Sequence, residues 1–300
     1  MKRHFERQAN YCTAFGAELR ARLLRLLPDF ISASSALGQR IAHWPGDPAP
    51  EADNLPLRLA GGLHALLLSE KARELAPIYQ SGAMKDADMP ALLQAGLIAA
   101  AHWLKAHTGC DLIASELGAS AGLNLVFEDS PVQLAPKWHG ALPVPVPYRL
   151  QDAQGCDLEP LDLRQPQDLL RLRAYIWASQ PERRARTDAA ISLKPPLPHR
   201  SSAIEFLRQH LAAPWTGCHL IYSTVAWQYF SQDEKSEITD LIATRGAETK
   251  SPLAWLRIEA DGKSPGAVMQ LDLWPGQKRI ELGRMDFHGR WITWTAPQPG

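Results

Sequence analysis

Apolar positions in the first hundred residues repeat at intervals of three and four. Phe5, Ala9, Cys12, Phe15, Leu19, Leu23 and Leu26 form one stripe, predicting an amphipathic helix that Pro28 ends. A polar connection follows, with Pro45, Gly46, Asp47, Pro48 and Pro50. Leu59, Leu63, Leu66 and Leu67 predict a second helix, which Leu75, Ile78 and Tyr79 extend. A third starts near Asp88, with Pro90 in its first turn, and runs to about Lys105.

The pattern changes at Cys110. Asp111 to Leu117 is a short apolar strand, followed by the small-residue turn Gly118 to Gly122 and a predicted helix. Strand, turn and helix in this order are the unit of a doubly wound α/β nucleotide site. A Pro- and aromatic-rich section, Pro136 to Tyr148, reads as an insertion, and its prolines argue against interior strands. Gly155 to Asp162 is the end of the next strand and its turn. Helices are predicted around Leu169–Ile176, Glu182–Leu193 and Ser202–Leu211. His219–Ser223 and Leu253–Glu259 are later strands, and three more, Val268–Trp274, Lys278–Leu282 and Arg290–Trp294, are joined by glycine-containing turns. The expected fold is α/β: a mainly parallel sheet with C-terminal antiparallel strands and an N-terminal helical extension. The expected division is 1–108 as the extension, or substrate cover, and 109–300 as the sheet domain, with an insertion at about 127–150.

Composition narrows the function. The 300 residues are 45% hydrophobic, enough for a sizeable core. Lysine plus arginine number 32 and so do aspartate plus glutamate, which gives no electrostatic case for a nucleic-acid binder. Cys12, Cys110, Cys156 and Cys218 match neither a zinc site nor a CxxC pair, so no metal is expected and the thiols read as reduced. Met1 to Arg7 leads into the first helix with no apolar signal core, and no stretch approaches a membrane span, so a soluble cytoplasmic protein is expected. The oligomeric state is not readable.

Gly118 to Gly122 is the sharpest local signal. Gly118 permits a tight turn, Ala119, Ser120 and Ala121 keep the surface low, and Gly122 admits close approach of a ligand or a neighbouring strand. The turn lacks the GxGxxG spacing of a dinucleotide fingerprint and the ending of a triphosphate loop. Asp157 ends the next strand, where a carboxylate either holds both ribose hydroxyls or forms the turn beside Pro160. Ser223, Trp227 and Tyr229 follow a parallel strand, so they either line a pocket or seal a helix on the sheet. Glu259 and His288 are the candidate bases, with solvated or structural turns as the alternatives. His64 lies in an apolar helix and reads as a packed or surface residue, while Arg183, Arg184 and Arg186 read as a salt-bridged solvent face.

The run Glu116-Leu117-Gly118-Ala119-Ser120-Ala121-Gly122-Leu123-Asn124-Leu125 resembles the central signature of the bacterial DUF2332 family. Gly155 to Asp162, Trp177 to Arg183, Tyr222 to Tyr229, Pro252 to Arg257, Trp274 to Gly276 and His288 to Trp291 continue the resemblance. That family is similar to class I methyltransferases, which have a Rossmann-like fold and use S-adenosylmethionine. The resemblance implies that Glu116, Gly118, Ala119, Ser120, Gly122, Asn124 and Ser223 shape the cofactor site. It also implies that Asp157 holds the ribose and that Trp227 and Tyr229 border the acceptor. Family members carry a Gln-Thr-Asn-Glu stretch before the glycine turn; here Tyr79 to Met84 and Asp86 to Pro90 stand in its place. The departure implies a changed substrate, a reduced activity or a shortened lid. Methyl transfer to a small molecule is the leading expectation, and a non-catalytic cofactor-binding protein is the alternative.

Overall fold

The computed structural model describes residues 1–14, 17–31, 33–69, 93–129, 136–176 and 181–298. The extension of the second predicted helix through Leu75–Tyr79, the predicted start at Asp88 and the departure at 79–90 lie outside them. The chain divides into two units, Met1–Pro90 with Arg164–Ala185, and Ala91–Leu163 with Arg186–Gly300.

The first unit is helical. α1 (Lys2–Ala14), α2 (Glu18–Phe30), α3 (Ala36–Ala42) and α4 (Leu55–Leu68) are joined by α6 (Pro166–Ala174) from later in the chain. The single helix predicted along the Phe5–Leu26 stripe is two, α1 and α2, and Phe5, Ala9 and Cys12 are buried with Ala17, Ala21, Leu24 and Ala60. Leu26 departs from the stripe and is exposed. Pro28 does not end the helix, which runs two residues further, because the hydrogen bond that proline forfeits falls in the last turn. His64 is a packed histidine: its Nδ1 lies 2.8 Å from the Ala174 carbonyl, and burial lowers its pKa.

The second unit is built on a nine-stranded sheet in the order β2-β9-β8-β7-β6-β5-β1-β3-β4. Its strands are β1 (Leu112–Leu117), β2 (Lys137–His139), β3 (Leu150–Asp157), β4 (His199–Arg200), β5 (Cys218–Thr224), β6 (Leu253–Glu259), β7 (Ala267–Trp274), β8 (Lys278–Met285) and β9 (Trp291–Trp294). The run β4-β3-β1-β5-β6 is parallel, and β7, β8 and β9 add an antiparallel meander. The three late strands thus appear where the sequence placed them. Among the described residues β2, in the Pro-rich section, pairs with β9 alone at the sheet edge, the position a proline-flanked strand tolerates.

Alternation along the strands sorts their side chains between two layers. Leu112, Ala114, Leu220, Tyr222, Ala254, Leu256 and Ile258 pack with α5 (Gln94–Thr108) on one face. This helix therefore belongs to the sheet unit and not, as the division at residue 108 has it, to the N-terminal helices. Gly109, at φ +70°, caps it. Leu117, Ile221, Leu253 and Trp255 pack on the other face with α8 (Ala203–His210) and α9 (Gln232–Glu248), each started by a serine–glutamate capping box. The helix Pro181–Ser192 (α7) begins in the first unit and ends in the second. Among the described residues, no helix is long and apolar enough to cross a membrane.

Candidate functional site

In a doubly wound sheet the ligand crevice opens at the carboxyl edge where the strand order reverses. Here that point lies between β1 and β5: the chain leaves β1 towards β3 and β4 on one side, then returns to β5 on the other. The ends of β1, β3, β5 and β6 bring Glu116, the glycine turn, Asp157, Ser223 and Glu259 to one edge.

The turn is fastened by its own chain. The Gly118 and Ala119 amides donate to the Cys156 carbonyl at 3.0 and 2.9 Å, and the Leu161 amide donates to the Ser120 carbonyl at 3.0 Å. Gly118, Ser120 and Gly122 have φ of +76°, +50° and +72°. A Cβ on Gly118 would stand 2.7 Å from the Ala226 Cβ, and one on Gly122 would stand 2.5 Å from the Pro196 carbonyl oxygen. The close approach that these glycines admit is therefore that of neighbouring chain. The predicted helix after the turn is a single 3-10 turn, Leu123–Val126. A four-residue turn has no developed dipole to offer a phosphate or carboxylate.

Asp157 clamps the turn: Oδ2 accepts the Ser120 amide and Oδ1 the Glu159 amide, both at 2.9 Å. Glu116 points the other way, into the layer beneath α5. It is 1% exposed, and its Oε1 accepts Asn124 Nδ2 at 3.1 Å and the Thr224 hydroxyl at 3.2 Å. The Tyr222 hydroxyl lies 3.5 Å from Oε2. Burial pushes Glu116 up to about 8, with the Asp157 charge adding to it, although the three donors favour the ionised form. Burial thus favours the protonated form of Glu116, which shares a hydrogen-bonded cluster with Asn124, Thr224 and Tyr222.

Glu259 is 6% exposed, and its Oε1 accepts two backbone amides, those of Ala226 and Trp227, each at 3.1 Å. Burial raises it to about 7 against the Ser223 hydroxyl, both amides and the Arg257 charge. Ser223 is fully buried. The Trp227 ring stacks edge-on with Trp255 and Phe230, both at 5.5 Å, whereas Tyr229 is 55% exposed. His288 sits on the β8–β9 connection, its amide donating to Asp286 Oδ1 at 3.0 Å. In the sheet, β7 lies between β6 and β8, the strand that leads into His288. Burial holds the Cys156 thiol up at about 12, leaving it inert at the end of β3. Among the described residues no group of three or more His, Cys, Asp or Glu could hold a metal ion. A surface groove between α8 and α9, floored by Leu207, Leu211 and Leu241, contains none of the candidate residues.

A family described as an uncharacterized protein conserved in bacteria, DUF2332, matches residues 2–95 and 91–294. The chain belongs to DUF2332. No curated protein and no solved structure matches it.

The DUF2332 match runs through every strand of the sheet. Three residues of this DUF2332 edge escaped the sequence reading. Thr224 and Tyr222 share the Glu116 face by strand alternation, a signal that was present in the run after His219. Gln94, fully buried, donates from Nε2 to the Leu123 carbonyl at 2.7 Å. Its mark in the sequence is a lone amide opening an alanine-rich helix.

Proposed function

We propose that this chain binds S-adenosylmethionine at the carboxyl edge of β1, β3 and β5 and transfers its methyl group to a small-molecule acceptor. The observation that carries the reading is Asp157 standing at the end of β3 beside the Gly118–Gly122 turn, at the point where the strand order reverses. The order β4-β3-β1-β5-β6 is that of a Rossmann-like sheet, and β7 runs antiparallel beside it, which supports a class I methyltransferase fold.

The residues present fit the cofactor. Each Asp157 oxygen accepts one amide and retains a lone pair, so the carboxylate has room for two ribose hydroxyls. Ala119, Ser120 and Ala121 keep the turn's side chains small beside it. When bound, the sulfonium supplies a methyl group already activated for transfer. The chain's work is then positional: Asp157 orients the ribose, the turn fixes the strand ends, and the Trp227–Tyr229 segment borders the acceptor. The neutral Glu116 cluster holds the floor of the edge without placing a charge there.

One observation favours the second reading, a protein that binds the cofactor without turnover. Of the two candidate bases, Glu259 spends Oε1 on backbone amides, and His288 follows a strand that β7 separates from β6. Incubation with methyl-labelled S-adenosylmethionine and a panel of small nucleophiles separates the readings. Labelled product supports the enzyme, and saturable binding with no product across the panel supports the binding protein.

A further inference from the structure

We propose that Glu259 is a positioning residue: its carboxylate holds the Val225–Trp227 turn against Gly118 and so fixes the wall of the donor site. The inference rests on the reading of this edge as that site.

Val225 has φ +54°, a left-handed conformation in which a β-branched side chain is crowded by its own backbone. Such a turn persists only if its surroundings hold it. Its own amide donates to the Ile258 carbonyl at 3.0 Å. Ala226 follows in the right-handed region, at φ −107° and ψ −28°. A left-handed residue before a right-handed one turns successive amides to one side, making a concavity that attracts an anion. The anion here is Glu259, reaching from the end of β6 with one oxygen on both amides.

Strain, amides and carboxylate meet where the turn touches the donor site. Ala226 occupies the space a Gly118 Cβ would fill, so displacing residues 225–227 uncovers the glycine turn. The Trp227 ring, packed on Trp255 and Phe230, would have to leave with it.

Ionisation decides how firmly this anchor holds. Bonds from amides to a carboxylate are stronger than bonds to a neutral acid, but burial outweighs them here and raises the carboxyl above its solvated 4.5. The groups bearing on Glu259 are few: the Ser223 hydroxyl from β5 and Arg257 from its own strand. Arg257 lies over the Trp255 ring and is paired with Asp272 of β7, which also binds Arg279 of β8. With burial placing Glu259 at about 7 against 4.5 when solvated, the closed turn keeps a proton that the opened one loses, and it is held less firmly as pH rises.

The test uses the full chain and amide hydrogen exchange at residues 226 and 227, corrected for intrinsic rates, at pH 6 and pH 8. The expected result is protection at pH 6 about tenfold above that at pH 8, the linkage of a carboxyl that titrates at about 7 in the closed turn and 4.5 when solvated. Glu259→Gln keeps the acceptor oxygen but cannot ionise. It should remove this pH dependence and show the stronger protection at both values. Persistence of the dependence in Glu259→Gln overturns the proposal. If that variant does not fold, equal wild-type protection at the two pH values overturns it alone. S-adenosylhomocysteine titrations of the same samples separate the two readings. The exchange result without binding retains the anchor and removes the donor reading; binding with pH-independent exchange does the reverse.

Discussion

Glu116 offers the sharpest quantitative prediction. Its carboxyl is buried with Asn124, Thr224 and Tyr222, and its pKa rises from 4.5 to about 8. An acid raised on folding keeps its proton in the native protein where the unfolded chain has lost it. Its contribution to stability is full below pH 4.5, falls as pH rises from there to about 8, and is flat above. At 1.36 kcal/mol per pH unit, the loss across that window is about 5 kcal/mol. Glu116→Gln removes the titration and keeps the geometry. The amide oxygen accepts from Asn124 and Thr224, and the amide nitrogen can donate to the Tyr222 hydroxyl. The variant should match wild type within about 1 kcal/mol at pH 5 and exceed it by about 4 kcal/mol at pH 8.5. Urea denaturation of both proteins at pH 5, 7 and 8.5 measures the difference, and the titration of Glu259, common to both, cancels. A gap independent of pH, or a variant less stable than wild type at pH 8.5, would refute the neutral-acid account of the cluster.

Other substitutions test the turn and its supports. Gly122→Ala, which forces a side chain into φ +72° and against the Pro196 carbonyl, should cost at least about 2 kcal/mol in thermal unfolding. An unchanged melting temperature would mean that Pro196 does not pack there. Asp157→Asn turns one oxygen into an amide NH2, a donor that faces a backbone N–H. It should weaken S-adenosylhomocysteine binding about tenfold in calorimetry, the worth of one hydrogen bond to a charged group. Equal affinity would remove Asp157 from the ribose role. Ser231→Ala deletes the capping box that starts α9 and should destabilise by about 1 kcal/mol in denaturant titration, with no change in ligand affinity.

What the sequence made legible follows from the range of the interactions. β1, β5 and β6 were visible as apolar runs because they are buried on both faces, and the meander was visible through its glycine turns. β4, two residues long, carries no periodicity to detect. The helix expected after Gly122 came from the usual partner of a strand and small-residue turn; Leu123–Val126 closes only one tight turn. The site divides in the same way. The left-handed glycines were readable locally, but the atoms filling the space beside them, from Pro196 and Ala226, arrive from distant segments. Glu116 and Glu259 were both singled out, as were Asn124, Ser223 and Trp227, yet the pairings among them and with Thr224, Tyr222 and the Ala226 amide were not. Thr224 is 108 residues from Glu116, and the amides on Glu259 lie 33 and 32 residues before it, across the β5–β6 pairing. Register brings these groups together, and no local pattern encodes register.

The central claim is that the edge between β1 and β5 receives an adenosyl ligand. Calorimetric titration of the folded wild-type chain with S-adenosylmethionine and S-adenosylhomocysteine at pH 8 tests it most directly. The account predicts saturable binding of one molecule per chain for each ligand. Absence of heat at saturating concentrations, from protein whose circular dichroism and melting transition are intact, would contradict it.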